Sequence, residues 1–419
     1  MVYAIGSLAL GPAHRDSADA YYSMALDRQA AVLDTDGLES IQSILCCTVY
    51  FVRSPIGASL WKISDMAIRH YIELGYHRSV AKYRKLTDPL CCVHSGPTIG
   101  IPDDVIDVEL PCDLEDDHIT KDGITKQPRL DSNDPPTYMT GAIHVIKLRQ
   151  LWSRFADNLY PTTTKPSGPH STSRQVLAGH LRQELEEWYA TIPEPIDYSG
   201  PHPLSVFASK TWFQLAYNHS ILLLNRHYIT ITPPPGEEES VATALEQRAI
   251  RAREICLLYR RLYQTSTIQF TWGSLHIFFM AGMTYLYCLW RSARVRQAVR
   301  QADVINTCMA CNTVLVIMAE RWTQATVYRD TFETLSEKTV SMICTDRTQP
   351  LSAMSNLEEL AANAANDLDQ LAVSQDWIVG LDDLSIPNES EWFIQELLQG
   401  MRDFQQPDIT YDDLADFTR

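Results

Sequence analysis

Three groups of side chains in this chain have residue types and spacings that could do chemistry. Asp103-Asp104-Val105-Ile106-Asp107 reads D-D-x-x-D, an arrangement in which carboxylates can hold magnesium against a diphosphate, because hard cations prefer carboxylate oxygens. The partner motif would be N-D-x-x-S-x-x-x-E. Asn366-Asp367 opens it, but Gln370 and Ser374 stand at the remaining ligand positions. Pro102 and Pro111 bracket the first motif, and Val105, Ile106 and Val108 favour an extended turn over the helix that such a site needs. Cys308-Met309-Ala310-Cys311 has C-x-x-C spacing but no second pair to complete a tetrahedral set. It lies in a helical pattern that continues through Val314, Leu315 and Met318, so a packed helix is expected. Cys91-Cys92-Val93-His94, Cys112 and His118 are zinc-capable donors whose spacing fits no common site. No G-x-S-x-G, H-E-x-x-H, P-loop or G-x-G-x-x-G occurs. No catalytic, cofactor-binding or metal-ligating residue is therefore assigned, and an all-α terpene-cyclase-like enzyme is the chemistry-bearing alternative, disfavoured on these grounds.

Composition narrows the field further. The 419 residues are 45% hydrophobic, ample for a large core, and the net charge is −17. DNA affinity rests on Lys and Arg neutralising phosphates, and this acidic chain has no basic block, so it is a poor DNA binder by itself. The start MVYAIGSLAL lacks a basic n-region, and the ten cysteines are expected to be reduced, mostly buried thiols. Trp272 to Trp290 is an uncharged run long enough to span a bilayer, but Gly273, Ser274, His276, Gly282 and Thr284 interrupt it. It reads as the central helix of a bundle, with no membrane partner and with His276 a hydrogen-bonded core histidine.

The elements that must position these residues are helical. The periodicity predicts helices at 17–33, 38–53, 58–76, 137–160, 173–191, 204–229, 240–264, 270–300, 302–324 and 327–344. Pro55-Ile56-Gly57 joins the second and third as an αα-hairpin, and residues 86–136 read as an irregular connector. The fold class is all-α: a large helical bundle or solenoid-like array of αα-hairpins over 1–345, then an acidic, partly disordered tail over 346–419.

Leu60 to Ser79 resembles the "W…A(I/V)R…A…LG(L/Y)HR" segment in the middle regulatory domain of fungal zinc binuclear cluster transcription factors, through Trp61, Ala67, Arg69, Leu74, Gly75, His77 and Arg78. Residues 38–45 resemble the helix before it. Residues 101–111, with Asp104, Asp107 and Pro111, resemble the family's "I.d.DIDv.lP" turn. Ile143 to Tyr160, Leu185 to Pro195 and Trp212 to Tyr228 match later segments. Ala319 to Leu335 matches "ERW..A..yRD.Fe.L" through Glu320, Arg321, Trp322, Arg329 and Asp330. These residues are expected to be structural, and a charged His77 to complement the dipole of its helix end. Two of the family's parts are not found. The six-cysteine zinc cluster is absent, so no zinc is expected in this chain, and the helix expected after Ser79 gives way to Tyr83 through Cys92. A mis-set gene boundary or a skipped exon would explain both; a genuinely shortened domain is the alternative.

The tail differs from the rest. Between 376 and 419 eleven acidic residues face two arginines, with Trp377, Trp392, Phe393, Leu397, Leu398 and Phe404 among them. Acidic residues keep such side chains solvated and available to fold onto a partner, the composition of an activation segment; a last helix at 391–404 docked on the body is the other reading. The resemblance implies a nuclear, pathway-specific transcription regulator, of the kind tied to secondary metabolism. Its partners would be the transcription machinery or co-regulators, a full-length zinc-cluster regulator and a small-molecule effector, with DNA reached only indirectly. An interaction-only repressor that sequesters a full-length regulator, and a non-functional remnant, are the alternatives.

Overall fold

The computed structural model describes residues 1–10, 12–33, 35, 37–54, 60–78, 106–130, 134–159, 171–192, 209–225, 238–265 and 270–348. The chain divides into two units, Met1–Leu224 and Asn225–Arg419. Both are helical, and among the described residues the only strands are the two-residue pair Ile119–Thr120 and Gly123–Ile124, inside the connector.

The first unit begins with α1 (Val2–Ala9), α2 (Arg15–Leu26), α3 (Gln29–Leu33), α4 (Leu38–Arg53) and α5 (Leu60–Glu73). Ile44, Cys47 and Phe51 follow one another at helical spacing on α4 and bury against Ala4 and Leu8 of α1, Ala18 of α2, and Ile63 and Ala67 of α5. Tyr50 joins them, stacked on Tyr22 with ring centroids 4.3 Å apart. Its hydroxyl donates to Asp19. The expected αα-hairpin is observed: α4 and α5 pack together, and the Ser40 hydroxyl meets His70 Nε2 at 2.6 Å. The helix expected at 17–33 is broken at Asp27–Arg28, and α1 was not anticipated.

A second cluster of this unit is built by α6 (Tyr138–Leu159), α7 (Ser171–Ala190) and α8 (Lys210–Leu224). Leu148, Leu151, Phe155 and Leu159 make the buried stripe of α6 and meet Leu181, Leu185 and Trp188 of α7 and Phe213, Tyr217 and Ile221 of α8. Three polar tips in this core are satisfied across helices. Trp152 Nε1 donates to Ser220 Oγ at 2.7 Å, Trp188 Nε1 to the His144 carbonyl at 3.0 Å, and the Tyr217 hydroxyl to Glu186 at 2.7 Å.

The second unit comprises α9 (Glu238–Thr265), α10 (Trp272–Arg291), α11 (Ala293–Ala298), α12 (Gln301–Arg321) and α13 (Thr326–Thr348). The expected central helix is α10: Ala281 through Trp290 are all buried, and α10 packs on α9, α12 and α13. It starts at a capping box in which Thr271 and Ser274 bond each other's backbone N–H. The sequence predicts one helix from 270 to 300, whereas the structure has two. Ser292 turns extended and its hydroxyl accepts from Val295 N–H, so it ends α10 and caps α11. Trp290 Nε1 donates to Thr339 Oγ1 at 2.8 Å, both buried, tying α10 to α13.

The C-x-x-C pair lies within α12 as a packed helix segment. Cys308 and Cys311 are buried near Cys256 of α9, and burial pushes the Cys308 thiol up to about 12 and the Cys311 thiol upward still. Such thiols stay protonated and unreactive. His276 is buried as expected, but its Nδ1 has no hydrogen-bond partner, and burial holds the imidazole neutral, down to about 4. Among the described residues one helix, α12, is long and apolar enough to cross a membrane, although 44% of that window is buried in the bundle.

Gly282 decides how closely α10 approaches its neighbours. A Cβ there would sit 2.7 Å from Cys311 Sγ and 2.7 Å from a Phe332 ring carbon. Gly282→Ala is expected to destabilise the protein by about 1–3 kcal/mol through overpacking. Gly179→Ala, on α7 where a Cβ meets nothing within 4 Å, is expected to stabilise it by about 0.5–1 kcal/mol. Urea denaturation of both variants checks the contrast, and equal effects would contradict the packing account.

Candidate functional site

The motif residues of the first unit assemble around the end of α5. Gly75 takes the left-handed conformation with φ 74°. Its N–H bonds the Ile72 carbonyl at 2.9 Å, and Tyr76 N–H reaches back to the Tyr71 carbonyl at 3.2 Å. This pair of bonds is a Schellman stop, which satisfies the orphan carbonyls of the last turn. Tyr71 seals it: its ring stacks on Tyr76 at 6.0 Å and its hydroxyl donates to the Tyr76 carbonyl at 2.8 Å. Glycine is required because a side chain at that φ would be strained.

The stop delivers His77 and Arg78 to the connector. Asp107 N–H bonds the His77 carbonyl at 3.3 Å, and Arg78 Nη2 lies 3.5 Å from Asp107 Oδ2. Two segments 29 positions apart in the sequence thus meet, and the last aspartate of the D-D-x-x-D run serves as a latch. His77 differs from its expected role. Burial and the neighbouring Arg78 push its imidazole down, with Asp107 pulling the other way, so the neutral form is favoured and the glycine stop, not a charged imidazole, finishes the helix.

The other motif residues fall into place individually. Ala67 is buried in the α4–α5 core and Arg69 is exposed. Trp61 and Leu74 lie on α5 and in the turn after it. Pro111 is exposed in the connector, and Asp104 lies outside the described residues. In the second unit Glu320 and Arg321 close α12, and Trp322 is buried at the bend into α13, its N–H bonding the Met318 carbonyl at 2.8 Å and the Arg321 guanidinium 5.2 Å from its ring. Arg329 and Asp330 pair with each other at 2.6 Å on the α13 surface, a contact between sequence neighbours that binds no second element. Trp377, Trp392, Phe393, Leu397, Leu398 and Phe404, like Asn366, Asp367, Cys91, Cys92 and His94, lie outside the described residues.

Sequence reading missed the organiser of the connector. The Asp113 carboxylate accepts from the Thr137 and Thr140 hydroxyls, the latter at 2.8 Å, while Arg129 N–H bonds the Asp113 carbonyl at 3.0 Å and Arg129 Nη1 lies 3.5 Å from its carboxylate. Thr137 and Thr140 also cap α6: Thr137 N–H donates to Thr140 Oγ1 at 2.8 Å. The T-x-x-T spacing ahead of an apolar run was the available signal. Behind it His144 is buried, stacked on Trp188 at 4.6 Å, its Nε2 without a partner. Burial, with Lys147 adding to it, lowers its imidazole to about 4.

Two outcomes follow from this geometry. Arg78→Ala is expected to speed protease cleavage around residues 106–111 while changing global stability by less than about 1 kcal/mol, since the pair is partly exposed. Limited proteolysis beside thermal unfolding measures both. Because His144 has a folded-state pKa below its unfolded value, its stabilising contribution is present above about pH 6.5 and is lost as pH falls toward 4, by about 1–3 kcal/mol. His144→Gln should be less stable at pH 7 and show a shallower loss between pH 6.5 and 4.5; an unchanged acid slope would refute the assignment.

Residues 86–190, which include Asp107, the Asp113 network, α6 and α7, match the fungal specific transcription factor domain. The chain is 25% identical over 394 residues to the "Positive regulator of purine utilization" of Emericella nidulans, a match over 74% of this chain and 36% of that relative. It is 22% identical over 272 residues to the "Pyrimidine pathway regulatory protein 1" of Saccharomyces cerevisiae, 60% of this chain and 29% of that relative. The chain thus spans about a third of the length of these relatives. No solved structure matches at a significant level. Over residues 86–190 the chain is thus similar to the fungal specific transcription factor domain, and the relatives it matches are fungal transcriptional regulators.

Proposed function

We propose that this chain is the regulatory part of a fungal, pathway-specific transcription regulator that works through protein–protein contacts, with DNA binding supplied by another module or by a partner. The observation that carries the reading is the domain match over residues 86–190 together with regulators as the matched relatives. The acidic charge supports it from the other side, since a chain at −17 repels phosphate and needs help to reach DNA. The relatives are named for purine and pyrimidine pathways, which favours control of one metabolic route, secondary metabolism included, answering to a small metabolite. A nuclear location, and contact between the acidic 346–419 segment and the transcription machinery, belong to the same proposal.

The test is tethering. The whole chain fused to a foreign DNA-binding module is expected to raise a reporter several-fold, and removal of residues 346–419 to abolish the rise. Reporter repression by the full fusion would favour the sequestering reading, and no effect in either direction would refute a regulatory role. Sequencing full-length transcripts then shows whether a six-cysteine module is joined to this chain.

A further inference from the structure

Between the latch and the Asp113 network the connector runs extended with one backbone edge open. Residues 106–115 contain no helix, turn or bend. Asp107 N–H is held by the His77 carbonyl at 3.3 Å, and successive residues of an extended chain direct their N–H and C=O groups to opposite edges. Val108 and Leu110 therefore face away from the end of α5. Among the described residues their backbone N–H and C=O groups have no hydrogen-bond partner. Pro111, with no N–H to give, falls on the His77 edge and leaves the open edge intact.

The same alternation sorts the side chains. Ile106, Val108 and Leu110 share one face and are exposed by 37%, 46% and 40%. The stretch is fastened at both ends: Arg78 holds Asp107, and the Asp113 network holds the far end with Leu114 buried beside it. An unpaired edge beside an apolar row is a template for a further strand. An edge already held straight loses little conformational freedom when that strand arrives.

Charge decides which strand fits. Residues 106–117 carry six carboxylates and no lysine or arginine. Asp107 and Asp113 are engaged by Arg78 and Arg129, whereas Glu109, Asp116 and Asp117 are exposed and, among the described residues, in no ion pair. A second copy of this segment would set like charges against each other, which disfavours self-pairing. We propose that the 106–110 edge accepts, by strand addition, an extended segment of a partner protein that is positively charged and apolar at alternate positions. This docking rests on the reading of the chain as one that works through protein–protein contacts, and it gives such a contact a place and a chemistry.

The probe is an end-blocked, fluorescein-labelled peptide of alternating lysine and valine, titrated with the full chain and read by fluorescence anisotropy. The expected result is saturable binding with a Kd of about 10–100 μM, as suits a small interface, with slowed hydrogen exchange at the Val108 and Leu110 amides. Val108→Pro removes an N–H that bonds nothing in the free chain and should weaken binding at least about tenfold with circular dichroism unchanged. Glu109→Lys, at an exposed site, should weaken it several-fold. A peptide methylated on the amide nitrogens of one edge keeps its charge and cannot pair, so equal binding by it overturns the proposal. Indifference to Val108→Pro, or no binding up to about 1 mM, overturns it too. Equal binding by the glutamate–valine counterpart overturns the choice of a basic partner. No reporter is involved, so a failure here leaves the tethering experiment to judge the regulatory reading separately.

Discussion

The second unit rests on the complete burial of one helix. Ten consecutive residues of α10, Ala281 to Trp290, see no appreciable solvent, which is unusual for an amphipathic structure and demands neighbours on every side. α9, α12 and α13 supply them. Two constraints follow. Backbone approach must be close at one point, which Gly282 permits against Cys311 and Phe332. Each polar group carried inside must also find a partner or shed its charge. Trp290 finds Thr339, whereas His276 finds nothing for Nδ1 and stays neutral. The four cysteines of this core, at 256, 288, 308 and 311, behave as small apolar side chains, their thiols pushed away from ionisation where burial acts on Cys288, Cys308 and Cys311.

In the first unit the recognisable residues hold the chain's path. A helix that must stop sharply needs a residue tolerant of positive φ, and Gly75 is that residue. The loop that follows must be pinned, and Arg78 with Asp107 does so. Farther on, Asp113 gathers two threonine hydroxyls and Arg129 so that the connector arrives at α6 in register. These contacts recur at corners, where a small number of side chains decide the direction of many residues. That explains why a run reading D-D-x-x-D yields an ion pair with an arginine at its last aspartate.

Much of this was legible before any coordinates. The periodic apolar stripes of α4, α6, α8, α9 and α12 announce helices, because a helix at a bundle surface needs a 3.6-residue repeat to bury one face. The all-round apolar run at 272–290 announced a central helix for the same reason. What escaped were events at helix ends and between segments. Ser292 ends one helix and caps the next, a choice between competing hydrogen bonds that the flat helical propensity of residues 270–300 does not reveal. The connector looked irregular because its order comes from Asp113 reaching residues 24 and 27 positions away. Arg329 and Asp330, expected to be structural, form a surface pair.

By itself, then, the sequence determined the class of the fold and much of its character: its helical period, its acidity and the ordered string of family-like segments. Those properties are local or additive, so they survive without three-dimensional context. Tertiary structure alone decided which distant residues meet, as Arg78 meets Asp107 and Trp290 meets Thr339, and which titratable groups are held neutral, as His144 and His276 are. It also decided which face of α12 is spent on the core and which is left for solvent. Burial and long-range pairing depend on where other segments come to lie, and no window of the chain contains that information.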